Sequence, residues 1–349
     1  MTTNSGITVH QTHPSRVLAG PGARHRVPGE VARLGAGRVL LVSTRSAKDA
    51  ADDLAVRLGD RLAGRFGRAA AHTPVTVTAE AMEVVRESGA DAVVAIGGGS
   101  AVGLAKAVSA RTGVPQLVVP TTYAGSEVTP VLGETENGVK STRRDQALVP
   151  GTVVYDPELT LTMPAGLTRT SALNALAHAV EALWAPDATA VSDAFATEAC
   201  TGILDALPAV LARPDGLADR ARLQQAAWLA GLCLGQTRMG LHHQLAHALG
   251  GTFDLPHAAL HALLLPHVLA YNLPFAPKAD ARLRRITGDD PAAVVGRIAR
   301  AHDGPTTLGA LGVTWESLRA VAERVAAQPY PNPRPPEADA LTRLLQAAW

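Results

Sequence analysis

The chain has 349 residues, 47 % hydrophobic and 18 % charged, and its 32 basic residues nearly cancel its 31 acidic ones to leave a net charge of +1. Such a balance offers no basic stripe for nucleic acid and no charged face for a membrane surface, so a small-molecule partner is expected. More than one domain is expected too, because single cores rarely grow past about 250–300 residues. Cys200 and Cys233 both fall in segments of helical pattern. Two cysteines in a chain this long read as reduced core residues, not as a disulfide framework. The segment from Met1 to Val27 has no apolar core of the kind a signal peptide needs, and no unbroken run of about 18 apolar residues is found, so a cytoplasmic location is expected.

In chain order, Arg38–Val42 reads as a strand followed by a helix over Ala47–Leu62. Ala92–Ile96 is a fully apolar strand followed by a helix over Ser100–Arg111, and Gln116–Val119 is a third strand ending at Pro120. Strands alternating with helices predict parallel pairing with crossover helices, and unbroken apolar runs predict strands buried on both faces. Val153–Tyr155 reads as the last strand, before a turn at Asp156–Pro157. From about Met163 the pattern becomes helical, with helices expected over Thr168–Leu183, Ala188–Leu211, Leu217–Gly235, Leu241–Gly250, Pro266–Tyr271, Pro291–Arg300, Trp315–Ala326 and Glu337–Ala348. The expected organisation is an α/β domain over residues 1–163 and an all-α domain over residues 164–349. The stretch Tyr330–Pro336 is too rich in proline for regular structure and is expected to cross the surface or the edge of a cleft.

Gly97, Gly98, Gly99 and Ser100 follow the apolar strand and open a helix. Such a turn lets backbone N–H groups reach a pyrophosphate, and a helix N-terminus favours negative charge. The loop Pro120–Pro130 follows the next strand and carries hydroxyls on Thr121, Thr122, Ser126 and Thr129. Two such loops at the carboxyl edge of one parallel sheet make a plausible nucleotide cradle, although the G-x-G-x-x-G fingerprint is absent.

Seven of the 12 histidines lie between His178 and His267. Asn174 with His178, His243 with His247, and His257 with His261 are each spaced by four, so each pair can aim into one pocket from a single helix face. Such a cluster suits either a metal or a set of hydrogen-bond donors. The H-E-x-x-H metalloprotease pattern fails because residue 244 is Gln, and no G-x-S-x-G elbow surrounds Ser100.

Taken in this order, GGGS, PTTYAGSEVTP, HQLAHALGGTFDLPH and LLLPHVLAYN resemble the iron-containing (group III) alcohol dehydrogenases. The resemblance implies a dehydroquinate synthase-like fold, with an N-terminal dinucleotide-binding domain, a C-terminal helical domain and an active-site cleft between them. It implies NADH or NADPH bound along Ser43, Thr44, Gly97–Ser100, Thr121, Thr122, Ser126 and Thr129, with Lys140 nearby. His178, His243 and His257 match the three histidines that hold an ion in metal-dependent members, and His247 matches a further histidine near the nicotinamide. Where those members carry Asp, this chain carries Asn174. Losing that charge leaves a dication without an anionic ligand and should weaken metal binding greatly.

The maleylacetate reductase branch resembles the chain in PTTYAGSE, in the Asn of SALNALAHAVEALWA and in the late Asn332–Pro335 motif. That resemblance implies reduction of the C=C bond of maleylacetate to 3-oxoadipate in the degradation of aromatic compounds, with no required metal. His178, His243, His247 and His257 are then the expected donors to the substrate ketone, and as imidazolium they would pair with its carboxylates. Asn174, Tyr123 and Tyr330 are the expected substrate contacts. Arg45, following Ser43 and Thr44, suits a 2′-phosphate. A homodimer is implied as well, pairing through an edge built from Gly6–Val9 and Arg16–Ala19. The competing reading is a metal-dependent dehydrogenase of a small alcohol, with Asn174 as a weak ligand.

Overall fold

The structure is a computed structural model that describes His10, residues 15–301 and residues 304–349, with the backbone but not the side chain of Lys140. Its N-terminal half is a six-stranded parallel sheet: β1 (Arg16–Ala19), β2 (Val39–Ser43), β3 (Leu62–Phe66), β4 (Ala92–Gly97), β5 (Gln116–Pro120) and, after a hairpin, β8 (Thr152–Tyr155). The strand order is β1-β8-β5-β4-β2-β3. Helices α1 (Val27–Arg33), α2 (Lys48–Leu58), α3 (Val75–Ser88) and α4 (Gly99–Thr112) cross between strands and cover both faces. The apolar run in β4 divides between those faces. Val93 and Ala95 join the core beneath α3 and α4, whereas Ala92, Val94 and Ile96 join the one beneath α1 and α2. Each fully buried Val or Ile contributes about 1.5–3 kcal/mol, enough to hold a strand in the middle of a sheet with no polar face.

Several elements went unread in the sequence, and for two of them the physical reason is plain. β3 is an edge strand that keeps Arg65 exposed, and α3 opens on Val75, Thr76, Val77 and Thr78, whose β-branched side chains favour strand. The helix expected to run to Leu62 ends at Leu58, because Gly59 takes a positive φ of 53° there. The antiparallel hairpin β6 (Val131–Glu136) and β7 (Val139–Arg144) stands apart from the sheet and pairs Leu132 with Arg143 and Val131 with Arg144.

From Ala165 onward the chain is helical: α5 (Ala165–Ala182), α6 (Ala190–Ala212), α7 (Leu217–Gln236), α8 (Leu241–Phe253), α9 (His257–Asn272), α10 (Pro277–Thr287), α11 (Pro291–Arg300), α12 (Ser317–Ala326) and α13 (Ala338–Ala348). α9 corrects the expectation of a helix beginning at Pro266. The proline lies inside the helix, fully buried, and the helix starts nine residues earlier at His257. Packing of Leu260, Leu263, Leu264 and Leu265 into two apolar cores offsets the hydrogen bond that Pro266 cannot donate. By length and mean hydropathy alone, α6 and the segment His257–Phe275 would suffice to cross a membrane, although neither is an unbroken apolar run. Both instead pack within the helical bundle.

β1 is an edge strand, paired in parallel with β8 on one side. The Gly6–Val9 segment expected to extend that edge lies outside the described residues. Cys200 and Cys233 are both free and buried, as expected. Burial pushes the Cys200 thiol well up and the Cys233 thiol up to about 12, so both stay protonated and inert.

The two halves meet where the loop after β5 lies on α7. Gly125, with a φ of 80°, presses against Gly231, and a Cβ on Gly231 would sit 2.5 Å from the Gly125 carbonyl oxygen and 2.8 Å from Val128. The obstacle is backbone, which cannot swing aside. Gly231→Ala is therefore expected to destabilise the protein by about 1–3 kcal/mol, read as a lower urea midpoint at unchanged slope. An unaltered midpoint would show that the loop is free to move off α7.

Candidate active site

One cleft of about 640 Å³ runs between the halves. Its first wall is built by the glycine turn. Gly97, at the end of β4, has a φ of 146° that only glycine adopts readily, and a Cβ on Gly98 would meet the Thr122 side chain at 3.0 Å. α4 then begins at Gly99 without a side-chain cap, leaving its first N–H groups to a ligand. Nothing stands closer to a Cβ on Gly99 than Ala124 and Ser126 at 4.0 Å, and the Ser126 hydroxyl is buried without a partner. An uncapped N-terminus, an open glycine and an orphaned hydroxyl fit the pyrophosphate of a dinucleotide.

Lys106, fully buried about two turns further along α4, holds this wall in shape. Its ammonium donates to the carbonyls of Ser126 at 2.6 Å, Thr129 at 2.7 Å and Val131 at 2.9 Å. Burial pulls Lys106 down to about 7, yet three carbonyl acceptors use all three protons of the charged form, so the clamp is an ammonium. Ser100, Ser126 and Thr129 line the cleft, while Thr121 and Thr122 flank the glycine turn without lining it. Ser43 and Thr44 line an adjoining cavity of about 510 Å³ with Arg45, Lys48 and Arg65, at the carboxyl end of β2. The Lys140 side chain lies outside the described part of β7.

The opposite wall is helical. Asn174, His178 and Glu181 fall on one face of α5, and all three are buried. Glu181 accepts from the backbone N–H of His242 at 2.9 Å and of Gly240 at 3.0 Å, and its Oε2 lies 2.6 Å from His243 Nδ1. His243 Nε2 in turn lies 2.9 Å from His178 Nδ1, and His178 Nε2 lies 3.3 Å from the Ala124 carbonyl oxygen. The far end of this chain sets its protons. The Ala124 carbonyl can only accept, so His178 donates there from Nε2; His178 Nδ1 then accepts from His243 Nε2, and His243 Nδ1 accepts from a protonated Glu181. Burial pushes Glu181 up and both histidines well down, which favours the neutral form of every member.

One expectation is corrected by this network. His178 and His243 are neutral, so neither is an imidazolium for a carboxylate, and both of their ring nitrogens are engaged by protein. His247 and His257 line the cleft together with His178 and His243, and they stack on each other with centroids 5.7 Å apart. Behind them, His242 and His261 are fully buried, and neither nitrogen of His261 has a partner. Burial lowers both, His261 strongly, with neighbouring histidines adding to its shift. Sequence reasoning missed His242 and Glu181. Glu181 had a signal, being three residues after His178 on the Asn174 face.

The donor set fits a divalent cation poorly. Asn174 offers an uncharged amide oxygen, buried without a partner, and the facing nitrogens of His178 and His243 are spent on each other. Among the described residues, the three imidazoles whose nitrogens lie within 4.8 Å of one another are His242, His243 and His261, not the His178, His243 and His257 that match the ligands of metal-dependent members.

Tyr330 lines the cleft from the proline-rich strap, and its hydroxyl is buried without a partner. Burial, with Tyr271 and Glu181 nearby, holds this phenol above its ordinary value. The strap is fixed by a reciprocal amide pair between Asn272 and Asn332 at 2.7 and 2.9 Å, by Tyr271 donating to the Pro335 carbonyl at 2.9 Å, and by Arg334 stacked 4.2 Å over the Tyr271 ring. Tyr123 is not at the cleft, which corrects its reading as a substrate contact. Its ring is fully buried in the helical core, and Arg220 reaches its hydroxyl at 3.4 Å. The apolar pull of that core outweighs the pull of a loop otherwise rich in hydroxyls.

Both halves of the chain match known families: residues 14–157 the iron-containing alcohol dehydrogenases, and residues 168–349 the C-terminal domain of the same group. A maleylacetate reductase of Rhizobium sp. strain MTP-10005 is 47 % identical over 98 % of this chain and 97 % of its own, and maleylacetate reductase 1 of Rhodococcus opacus is 45 % identical over 100 % and 98 %. The crystal structure of a maleylacetate reductase from Agrobacterium tumefaciens superposes with a TM-score of 0.94 at 46 % identity, covering 98 % of each chain. The chain belongs to the iron-containing alcohol dehydrogenase family and is an oxidoreductase.

Proposed function

We propose that the protein reduces the C=C bond of maleylacetate with NADH or NADPH, giving 3-oxoadipate, and does so without a required metal. The observation that carries this reading is a single cleft joining the uncapped N-terminus of α4 to His247, His257 and the unpartnered Tyr330 hydroxyl. Full-length identity to maleylacetate reductases supports the choice of substrate. The proposed setting is the cytoplasm, where the soluble cofactor is found, and the proposed assembly is a homodimer built on the β1 edge.

When bound, the cofactor supplies hydride to the alkene carbon remote from the ketone. Gly99, Ser100 and Ser126 bind its pyrophosphate, and Lys106 keeps their loop in register. The ketone oxygen gains charge as hydride arrives, and the protein answers with donors already in place. Tyr330 is suited to this, since a phenol held above its ordinary value stays protonated and has no competing acceptor in the protein. His247 and His257 stand at the same wall and complete the donor set, one of them returning a proton to the carbon beside the ketone. His178 and His243 act behind them, fixed by Glu181. Asn174 contributes an amide acceptor where a carboxylate would repel the substrate's own charges.

The test is oxidation of NADH by maleylacetate with protein treated with a strong chelator. Sustained turnover is expected; activity lost and then restored by Fe²⁺ would instead require a metal, and cofactor binding without turnover would remove the reading. Replacing the donor, Tyr330→Phe, is expected to lower kcat by about 10²-fold while KM for maleylacetate and circular dichroism stay unchanged. A wild-type kcat in that variant would take Tyr330 out of the chemistry. In the cavity beside β2, Arg45→Ala is expected to raise KM for NADPH about tenfold and to leave KM for NADH as it was. Equal effects on the two cofactors would place Arg45 away from the 2′-position.

A further inference from the structure

The cleft is lined by four cationic side chains, Lys106, Arg143, Arg144 and Arg238, and by no carboxylate among the described residues. With His178 and His243 neutral, the lining of the cleft carries an excess of positive charge. Three of the four cations have protein partners of very different strength. Lys106 is saturated by carbonyls. Arg144 donates to the Gly235 carbonyl at the end of α7, tying the β6–β7 hairpin to the helical half through a neutral acceptor. Arg238, in the turn before α8, pairs with Asp187 at 3.3 Å, but their side chains are 64 % and 36 % exposed. Water screens such a pair, so it is readily exchanged for a better one. The side chain of Arg143, which stands opposite Leu132 on β7 and is exposed, has no ion pair or hydrogen bond among the described residues.

We infer that Arg143 and Arg238 bind the two carboxylates of the substrate, one from each wall, and so select a dicarboxylate over an uncharged aldehyde or a monoacid. The inference rests on the proposed reading for the identity of the substrate, but the charge arrangement stands apart from it. A guanidinium presents parallel N–H groups that match a carboxylate in two bonds, which an imidazole cannot do. The pyrophosphate end of the cleft is served separately by backbone N–H groups of α4, so these arginines are not needed there. A dianion held from both walls also draws the hairpin toward the helical half, excluding water from the histidines.

The experiment compares wild type with Arg143→Gln, Arg238→Gln and the double variant. Each single change is expected to raise KM for maleylacetate about tenfold or more, with KM for NADH and the melting temperature unchanged. In wild type KM should climb with added salt, and that dependence should flatten in the double variant. Arg143→Lys is expected to recover part of the loss, since it restores charge without the fork. A rise in KM for NADH instead would assign the arginines to the cofactor, and unchanged constants would make them surface charges; either result overturns the inference. Calorimetry with 3-oxoadipate and with hexanoate separates this test from the larger reading. If wild type fails to turn over maleylacetate, preferential binding of the diacid, lost in the double variant, still supports the arginines, and equal binding of both acids sinks them.

Discussion

A single buried carboxyl group organises the active-site half of this molecule. Glu181 accepts the N–H groups of Gly240 and His242, which fixes the first turn of α8 against α5. Through His243 and His178 it is also linked to the Ala124 carbonyl in the other half of the chain, whose need for a donor sets the tautomers along the way. Gly240 must be glycine beside it: a Cβ there would lie 3.1 Å from Glu181 and 2.6 Å from the Pro331 carbonyl oxygen. The same close approach seats the strap that carries Tyr330. Helix register, imidazole orientation and the placement of the phenol therefore share one anchor. Leaving any of these buried groups without its partner would cost about 1–3 kcal/mol, so the arrangement holds as a unit.

Much of the α/β half was legible because its strands are buried on both faces. Burial of that kind writes an unbroken apolar run, as in Ala92–Ile96, and the glycines after it mark where a helix must begin. What stayed hidden lay at edges and in elements governed by partners distant in sequence. β3 and the β6–β7 hairpin each have an exposed side, which weakens the pattern, and α9 tolerates a proline because its flanks are packed. At the site, spacing identified which histidines converge but not their charge. Charge depends on burial: His178 and His243, two of the rings expected to be cationic, are enclosed and held toward the neutral form, while the cations that line the cleft come from α4, from β7 and from the turn before α8. Tyr123 shows the opposite failure. A residue within a recognisable loop motif was drawn into a core that local sequence does not reveal.

The substitution of an amide for a carboxylate at position 174 has consequences that run in one direction. An acid there would add a negative charge to a pocket walled by neutral rings, favouring a dication and repelling a dianionic substrate. With Asn174 the pocket attracts the first less and penalises the second less. The electrostatic work of catalysis then falls to oriented dipoles, which suits the chemistry proposed: charge develops on one oxygen conjugated to the reacting carbon, and a fixed phenol and two imidazoles can meet it without reorganising. Neutral groups near the reacting carbon with guanidinium groups around them form a gradient. On the proposed reading, the substrate's permanent charges would be held at the arginines, and only the transient charge would form among the weaker donors. An ion at the centre would erase that distinction by attracting a carboxylate as strongly as the enolate, binding substrate and transition state alike.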